Sequence, residues 1–301
     1  MDFQMPRRLD KFLADARVGS RNHIEALAGQ GVLTRNGETT SDLHRLVDPQ
    51  HDVIEVLGQR ATLSAPTLYA MLHKPPGYVT TLSDPNGRRC VAALVPEAWR
   101  GRVGVVGRLD KPTTGALLFT DDGNLCTLLT LAATHVWKRY VLTVVGEPQP
   151  DDPRLAELRA GVLLSQTMTV PCRCGIVPGS GRPGRGETRL SEVWVEIREG
   201  RFHQVRRMAN QVRLKLTHLH RAAVGPLALG DLAEGQWRSL SGEEVEALYA
   251  AAGGRDAARA AVLQTLARRL NDGELDEREV SLVKRYFAAV DVFEAGGSAL
   301  R

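Results

Sequence analysis

The chain has 301 residues, of which 43% are apolar and 25% are charged, a composition typical of a folded globular protein with about two domains. The sequence contains no run near the roughly 18 apolar residues that a membrane span requires, and its N-terminus lacks the apolar stretch of a secretory signal. We therefore expect a cytoplasmic protein without membrane contact, whose four cysteines are reduced.

The first 58 residues predict two short helices followed by a small hairpin. Apolar side chains recur with helical spacing from Leu9 to Ala16, and Ser20 stands where it would cap a second helix. Asn36-Gly37, between two short apolar runs, is typical of a type I′ turn. We interpret residues 1–58 as one small domain.

The middle of the chain predicts a sheet-rich domain over residues 68–250. Small and polar residues at 59–67 predict a linker in front of it. The clearest strand-like runs are residues 68–72, 116–120, 140–145, 193–197 and 214–219. Because regular helical patterns rarely separate these runs, the spacing favours an α+β domain with a mixed, mostly antiparallel sheet over a repeated βαβ fold.

Residues 251–301 are predicted to form a helical C-terminal extension. A capping box of Ser241 and Glu244 starts the helix in front of it. Two further helical patterns cover residues 255–270 and 277–293. Nothing in the extension indicates chemistry.

Positive charge is concentrated in the middle of the chain. The net charge is +4 overall, but residues 61–240 carry 23 basic and 15 acidic side chains. Within that region, residues 182–221 hold ten basic side chains and four acidic ones. Such a concentration indicates a phosphate-bearing partner, although a solvated face with scattered arginines would give the same count.

Several familiar motifs occur without the context they need. Segment 179–184 has the glycine spacing of a dinucleotide fingerprint, but Pro183 interrupts it and no helix is predicted after it. The pair Cys172 and Cys174 lacks a second pair, so no zinc site is predicted. Residues 121–123, Asp-Asp-Gly, are ordinary turn chemistry, which leaves a metal-dependent nuclease as a weak alternative.

Four segments together resemble one enzyme family. Gly107–Gly123 contains Arg-Leu-Asp followed by a Thr-Thr-Gly turn, His73–Val79 precedes it, and Lys138–Tyr140 and Glu199–Met208 follow it. With a basic N-terminal region similar to an S4 RNA-binding domain, this order resembles the RsuA-type pseudouridine synthases over about residues 7–245. The family combines an S4 domain with a catalytic domain, and the likeness is greatest to its small-subunit rRNA enzymes.

The resemblance implies isomerisation of uridine to pseudouridine in RNA, without a metal or an organic cofactor. The bond between N1 and C1′ is broken and C5 is rejoined to C1′. Asp110 matches the nucleophile, Tyr140 the active-site aromatic, and Arg206 the cation that orients the carboxylate. A carboxylate is already ionised at neutral pH, and the planar guanidinium of an arginine can bind it through two hydrogen bonds.

Further residues are expected to bind RNA. By the same resemblance or by their charge, these are Arg7, Arg8, Lys11, Arg21, Lys74, Arg108, His203, Gln204 and Arg207. Gly107 and Gly115 bracket the Asp110 loop, where we expect the RNA backbone to come close. The target base must leave its stack, which costs least in an unpaired region of RNA.

The expected substrate is small-subunit (16S) ribosomal RNA, or an assembly intermediate of the ribosomal subunit, bound by a monomer. Two alternatives remain: a large-subunit (23S) rRNA enzyme of the same family, and a non-catalytic RNA-binding protein of ribosome assembly. The sequence departs from the family pattern at His73, where asparagine is common, and in the long basic loop 175–186. Beyond about residue 250 the extension has no counterpart in typical members.

Overall fold

The computed structural model describes residues 6–19, 21–49, 51–63, 67–130 and 134–285. Within these ranges, every helix is too short or too polar to cross a membrane. The chain divides into two compact units. The first comprises the described residues within 1–67, 101–103 and 258–301, and the second those within 68–100 and 104–257.

The first unit opens with two helices and a small sheet. In chain order its elements are β1 (Arg7–Arg8), α1 (Leu9–Asp15), α2 (Arg21–Gly29), β2 (Leu33–Arg35), β3 (Glu38–Thr39), β4 (Leu46–Val47), β5 (Ile54–Val56) and β6 (Gln59–Arg60). Strands β3, β2, β5 and β6 form an antiparallel sheet in that order, and β1 pairs with β4. The two predicted helices and the hairpin are confirmed, although Ser20, the predicted cap, lies outside the described residues.

The turn between β2 and β3 has the conformation that its sequence predicts. Asn36 and Gly37 have φ angles of 54° and 85°, and a type I′ turn requires positive φ at both positions. The helices and the sheet bury a common apolar core that includes Leu9, Phe12 and Ile24. Full burial of a side chain of this size contributes about 1.5–3 kcal/mol.

The linker was predicted to begin at residue 59, which is too early. Gln59 and Arg60 form β6, which pairs with β5, and Ala61 and Leu63 pack against the core of the first unit. The small, polar stretch resembles a linker because it begins at a tight hairpin turn, in which Gly58 has a φ of 75°.

The second unit contains one large mixed sheet. Its elements are β7 (Tyr69–Lys74), β8 (Gly104–Val106), β9 (Thr114–Thr120), α3 (Gly123–Thr130), β10 (Lys138–Val145), α4 (Pro153–Ala160), β11 (Leu163–Leu164), β12 (Thr167–Met168), β13 (Arg173–Ile176), β14 (Arg182–Pro183), β15 (Arg189–Ile197), α5 (Gln204–Gln211), β16 (Leu216–Val224), β17 (Leu227–Ala228), β18 (Trp237–Ser239) and α6 (Gly242–Ala251). Two single turns of 3₁₀ helix, Val91–Leu94 and Glu97–Trp99, precede β8.

The strands of this sheet lie in the order β13-β15-β10-β16-β9-β7-β18, with β14 beside β15, β17 beside β16 and β8 beside β9. Strands β16 and β9 run parallel, and the other described pairs are antiparallel. The predicted α+β domain with a mixed, mostly antiparallel sheet is therefore confirmed, as are its five strands. Helix α5 was not predicted.

From residue 258 onwards, the C-terminal helices belong to the first unit. They comprise α7 (Arg255–Asn271) and a helical stretch at 277–285, the end of the described chain. Leu266, Leu282 and Val283 pack with Leu46 of β4. The Leu46 N–H also donates a 2.6 Å hydrogen bond to Glu279.

The prediction that residues 251–301 are helical is confirmed for 255–271 and 277–285, and the described part packs on β4. The strand edge of β4 needs a hydrogen-bond acceptor and an apolar cover, and the extension supplies both. The capping box of Ser241 and Glu244 is confirmed, and it starts α6 in the second unit.

Candidate active site

The loop between β8 and β9 carries Asp110 into a cavity of about 750 Å³ in the second unit. Side chains from this loop, from strands β10 and β16, and from the segment before α5 line the cavity. They include Arg108, Asp110, Lys138, Tyr140, His203 and Arg221. Asp110 is about one quarter exposed, so its carboxylate can be reached from the cavity.

Two nitrogen-bearing side chains face the Asp110 carboxylate. The Arg206 Nε lies 3.3 Å from Oδ2, and the His203 Nε2 lies 3.4 Å from Oδ1. The Arg206 Nη2 also donates a 3.2 Å hydrogen bond to the Thr113 hydroxyl in the same loop. The structure thus brings together the two residues, Asp110 and Arg206, that the sequence assigns to one site.

The contact between Asp110 and Arg206 is simpler than the predicted pair of hydrogen bonds. The ion-pair contact runs from Nε of Arg206 to the carboxylate, at 3.3 Å. That nitrogen is buried and has no aligned hydrogen-bond acceptor among the described residues. The pair is therefore electrostatic, and Arg206 divides its guanidinium between Asp110 and Thr113.

Helix α5 and the residue before it position both side chains that face Asp110. His203 precedes the helix in the left-handed region, at φ 49°, a conformation uncommon for a residue with a side chain and frequent at functional sites. Its neighbour Gln204 is 4% exposed. The Gln204 amide donates 2.6 Å to Glu199 and accepts 2.9 Å from the Arg201 N–H.

Gln204 lines the cavity, and its predicted RNA contact stays a prediction. Its amide is buried and its oxygen and nitrogen both hydrogen-bond within the protein, so it also braces the turn that presents His203. Arg207 reaches the Ser165 hydroxyl and the Phe202 carbonyl, and it does not line the cavity.

The predicted RNA contact of Lys74 does not agree with the structure. Its side chain is fully buried, and its Nζ donates to the carbonyls of Pro75, Lys111 and Thr113 at 3.0, 3.2 and 2.8 Å. Burial lowers the pKa of Lys74 to about 8, and the negative charge of Asp110 opposes that shift. Lys74 therefore holds the carbonyls of the Asp110 loop and does not reach a phosphate.

The part of the cavity wall formed by β10 and β16 combines an aromatic ring with two cations. Tyr140 on β10 pairs with Arg221 on β16. Arg221 is 5% exposed and donates 2.7 Å to the Ala116 carbonyl. Burial, followed by the charge of Arg221, lowers the pKa of Lys138 to about 8.

Sequence reasoning missed Arg221 and Lys138 as site residues. Lys138 stands two residues before Tyr140 in a recognised segment, so its position carried a signal. Arg221 lies outside those segments, and only the pairing of β16 with its neighbours brings it to the cavity.

Gly115 is needed for a different reason from the predicted one. It has a φ of 110°, and a Cβ there would collide with the backbone of Arg221. The backbone that comes close is thus strand β16 of the protein itself and not RNA. Arg108, in contrast, is exposed on the cavity wall, where a ligand can contact it.

The predicted RNA-binding residues of the first unit are ion-paired with carboxylates of the same unit. Arg7 contacts Asp15 at 2.7 Å and Arg8 contacts Asp10 at 2.6 Å. Lys11 lies 3.8 Å from Asp15, and Arg21 lies near Asp10 and Glu25. These basic side chains remain partly exposed, and acidic neighbours offset their charge.

The structure also bears on two motifs that the sequence analysis rejected, the glycine-spaced segment 179–184 and the candidate metal ligands. Segment 179–184 contains β14, which pairs with β15, so it is a strand edge and not a phosphate loop. No group of three or more histidine, cysteine or acidic side chains in the described ranges has the arrangement of a metal site.

Comparison with known proteins gives consistent matches. Residues 68–211 match the sequence model of a family described as RNA pseudouridylate synthase. The chain is 34% identical to ribosomal small subunit pseudouridine synthase A of Escherichia coli over 246 residues, covering 79% of this chain and 98% of that protein. It is 30% identical over 257 residues to a putative chloroplastic ribosomal large subunit pseudouridine synthase of Arabidopsis thaliana, covering 81% of this chain and 61% of that protein.

A solved structure shares the fold. The crystal structure of a pseudouridylate synthase is 29% identical, covers 80% of this chain and 99% of its own, and superposes with a TM-score of 0.55.

Proposed function

Because this chain belongs to the RNA pseudouridylate synthase family, we propose that it isomerises a specific uridine of small-subunit ribosomal RNA to pseudouridine. The observation that carries the proposal is the half-buried Asp110 carboxylate in an open cavity, with Arg206 at 3.3 Å. Such an arrangement keeps a carboxylate anionic and directed towards a bound ribose.

In the proposed reaction, an oxygen of Asp110 attacks C1′ of the target nucleotide. The N1–C1′ bond breaks, and its electron pair leaves with the uracil ring. The ring turns over within the cavity, and C5 bonds to C1′ as the bond to Asp110 breaks. C5 then releases its proton to solvent, and N1 takes up a proton from solvent. The Asp110 carboxylate is then regenerated, so no net redox change occurs.

The cavity walls support each stage of this sequence. Arg206 offsets the charge of Asp110 before attack and after release. Tyr140 provides a ring against which the freed uracil can pack, as aromatic faces do for unstacked bases. Arg221 and Lys138 add positive charge to the cavity wall. This charge favours the binding of the phosphate backbone and stabilises an anionic leaving base.

The small-subunit substrate is supported by the similarity to the Escherichia coli enzyme, whose name states that specificity. The Arabidopsis relative is named for the large subunit, and it favours the alternative, an enzyme of 23S rRNA. The helices and hairpin of the first unit are consistent with the S4-like RNA-binding role that we assign to them. We place the reaction in the cytoplasm, on rRNA or an assembly intermediate bound by a monomer.

The test is to map pseudouridines across all ribosomal RNA in cells that lack this protein. We expect one position of small-subunit rRNA to lose its pseudouridine and to regain it with the wild-type chain. Complementation with Asp110→Asn, which keeps the shape of the side chain, should not restore the modification. Loss of a large-subunit position instead would establish the alternative substrate, and an unchanged map would reject the proposal.

A second assay addresses chemistry directly. The purified protein should release tritium from rRNA that contains 5-tritiated uridine, because C5 gives up its hydrogen. Asp110→Asn should abolish the release while RNA affinity stays within a few-fold of the wild type. A variant that retains turnover would show that Asp110 is not the nucleophile.

A further inference from the structure

Phe202 exposes its apolar side chain to solvent at the cavity, and this exposure is unfavourable for an apolar ring. Its side chain is 77% exposed, the highest value among the large apolar side chains in the part of the chain described here. It also lines the cavity that holds Asp110. An exposed aromatic ring that lines a polar cavity offers a planar face on which a nucleobase can stack.

The ring is joined to the nucleophile through one side chain. Phe202 stacks on the His203 imidazole with a centroid separation of 3.8 Å and an interplanar angle of 17°. The same imidazole lies 3.4 Å from the Asp110 carboxylate. One face of the phenyl ring is therefore covered by His203, and the ring as a whole remains open to a further planar group.

The segment that carries the ring is held in place before any ligand binds. Arg201 donates to the carbonyls of Thr167 and Met168 at 3.1 and 2.7 Å, and Arg207 donates to the Phe202 carbonyl at 3.4 Å. A ring on such a braced segment loses little conformational freedom when it binds a partner.

We propose that Phe202 stacks on the nucleobase next to the uridine that is withdrawn into the cavity. This inference rests on the proposed function. Withdrawal of a base leaves its neighbour without a stacking partner, and an aromatic side chain can replace that partner regardless of base identity. The neighbour, Phe202 and His203 then form a continuous stack that ends at Asp110.

The test compares three substitutions at one position in the full-length protein. Phe202→Ala should raise KM for the rRNA substrate about tenfold, the effect of losing one base–aromatic stack, while kcat changes less than KM. Phe202→Leu, which keeps apolar bulk without a planar face, should behave like the alanine variant. Phe202→Trp should keep KM within a few-fold of the wild type. Met168→Ala is the matched control, because Met168 is 53% exposed on the neighbouring hairpin and does not line the cavity.

Each outcome decides the proposal. An unchanged KM in Phe202→Ala, or a normal KM in Phe202→Leu, would overturn stacking. If the wild-type protein forms no pseudouridine, the proposed function fails, and stacking is then judged by the affinity for a fluorescein-labelled single-stranded RNA 20-mer. Equal affinity of wild type and Phe202→Ala would overturn it there, whereas weaker binding that Phe202→Trp restores would uphold it. Because the side chain is exposed, thermal unfolding of all variants should match the wild type.

Discussion

The basic side chains of the two units differ in what they contact. In the first unit, Arg8 pairs with Asp10 at a partly exposed site, and exposed ion pairs contribute only about 0–1 kcal/mol. In the second unit, Arg221 is 5% exposed and donates to a backbone carbonyl, as the buried Lys74 does to three of them. Removing a buried cation of this kind leaves acceptors without partners, which costs more.

This difference distinguishes basic side chains that can bind RNA from basic side chains that hold parts of the protein in position. A phosphate can take the place of Asp10 beside Arg8 at little cost, so the first unit is suited to reversible contact with RNA. Arg221 and Lys74 in the second unit instead donate to backbone carbonyls of the protein, and they hold the cavity wall and the Asp110 loop in place. A count of basic residues along the sequence shows neither arrangement.

The strongest test of this distinction is Arg206→Ala. We expect kcat to fall roughly 10²- to 10³-fold, as it does when one preorganised charge-stabilising donor is lost, with RNA affinity nearly unchanged. Tritium release and filter binding would measure the two quantities. Arg154→Ala is the control, since Arg154 pairs with Asp152 on α4 outside the cavity. A fall in affinity that equals the fall in activity would place Arg206 with the binding residues.

A change of intermediate size tests whether the C-terminal helices belong to the first unit. Leu282→Ala, at a side chain 6% exposed, should lower the free energy of unfolding by about 2 kcal/mol, at the lower end for a buried leucine. Urea unfolding followed by circular dichroism measures it. Lys284→Ala, on the exposed side of the same helical stretch, should change stability by less than about 0.5 kcal/mol. Equal stability of the two variants would contradict the packing on β4.

The smallest effect is expected from the first unit. The double variant Arg8→Ala/Lys11→Ala should weaken RNA binding several-fold and reduce the dependence of log Kd on log salt by about 0.7 per lost contact. Turnover at saturating RNA should not change. Arg45→Ala is the control, because Arg45 pairs with Asp276 and no RNA contact is assigned to it. An unaltered salt dependence in the double variant would remove the first unit from the binding surface.

Local patterns predicted most of the fold. Alternation and apolar runs located the five main strands, and the turn residues Asn36 and Gly37 placed the hairpin. Helices α3, α4 and α5 were not predicted. In α5, the apolar residues Val205, Met208 and Ala209 do recur with helical spacing, so the signal was present and was overlooked. The C-terminal helices were recognised as helices, but no local pattern shows that Leu282 packs on a strand more than 200 residues earlier.

The site was predicted to a similar extent. Family resemblance selected Asp110, Tyr140 and Arg206, and the structure places all three at or beside one cavity, while their catalytic roles stay predictions. The same resemblance assigned Lys74 to phosphate. Its burial depends in part on the carbonyls of Lys111 and Thr113, which lie almost 40 residues further along the chain and which a sequence does not display beside it.

The parallel pairing of β9 with β16 has a consequence for how the protein is made. The pairing aligns Thr114 with His220 and Gly115 with Arg221, so the two halves of the candidate active site come from segments about a hundred residues apart. Contacts of such long range form late, because a large chain loop must close first. A nascent chain that has not yet emerged past Val224 therefore holds Asp110 without its complete surroundings, and the site is assembled only after β16 has been made.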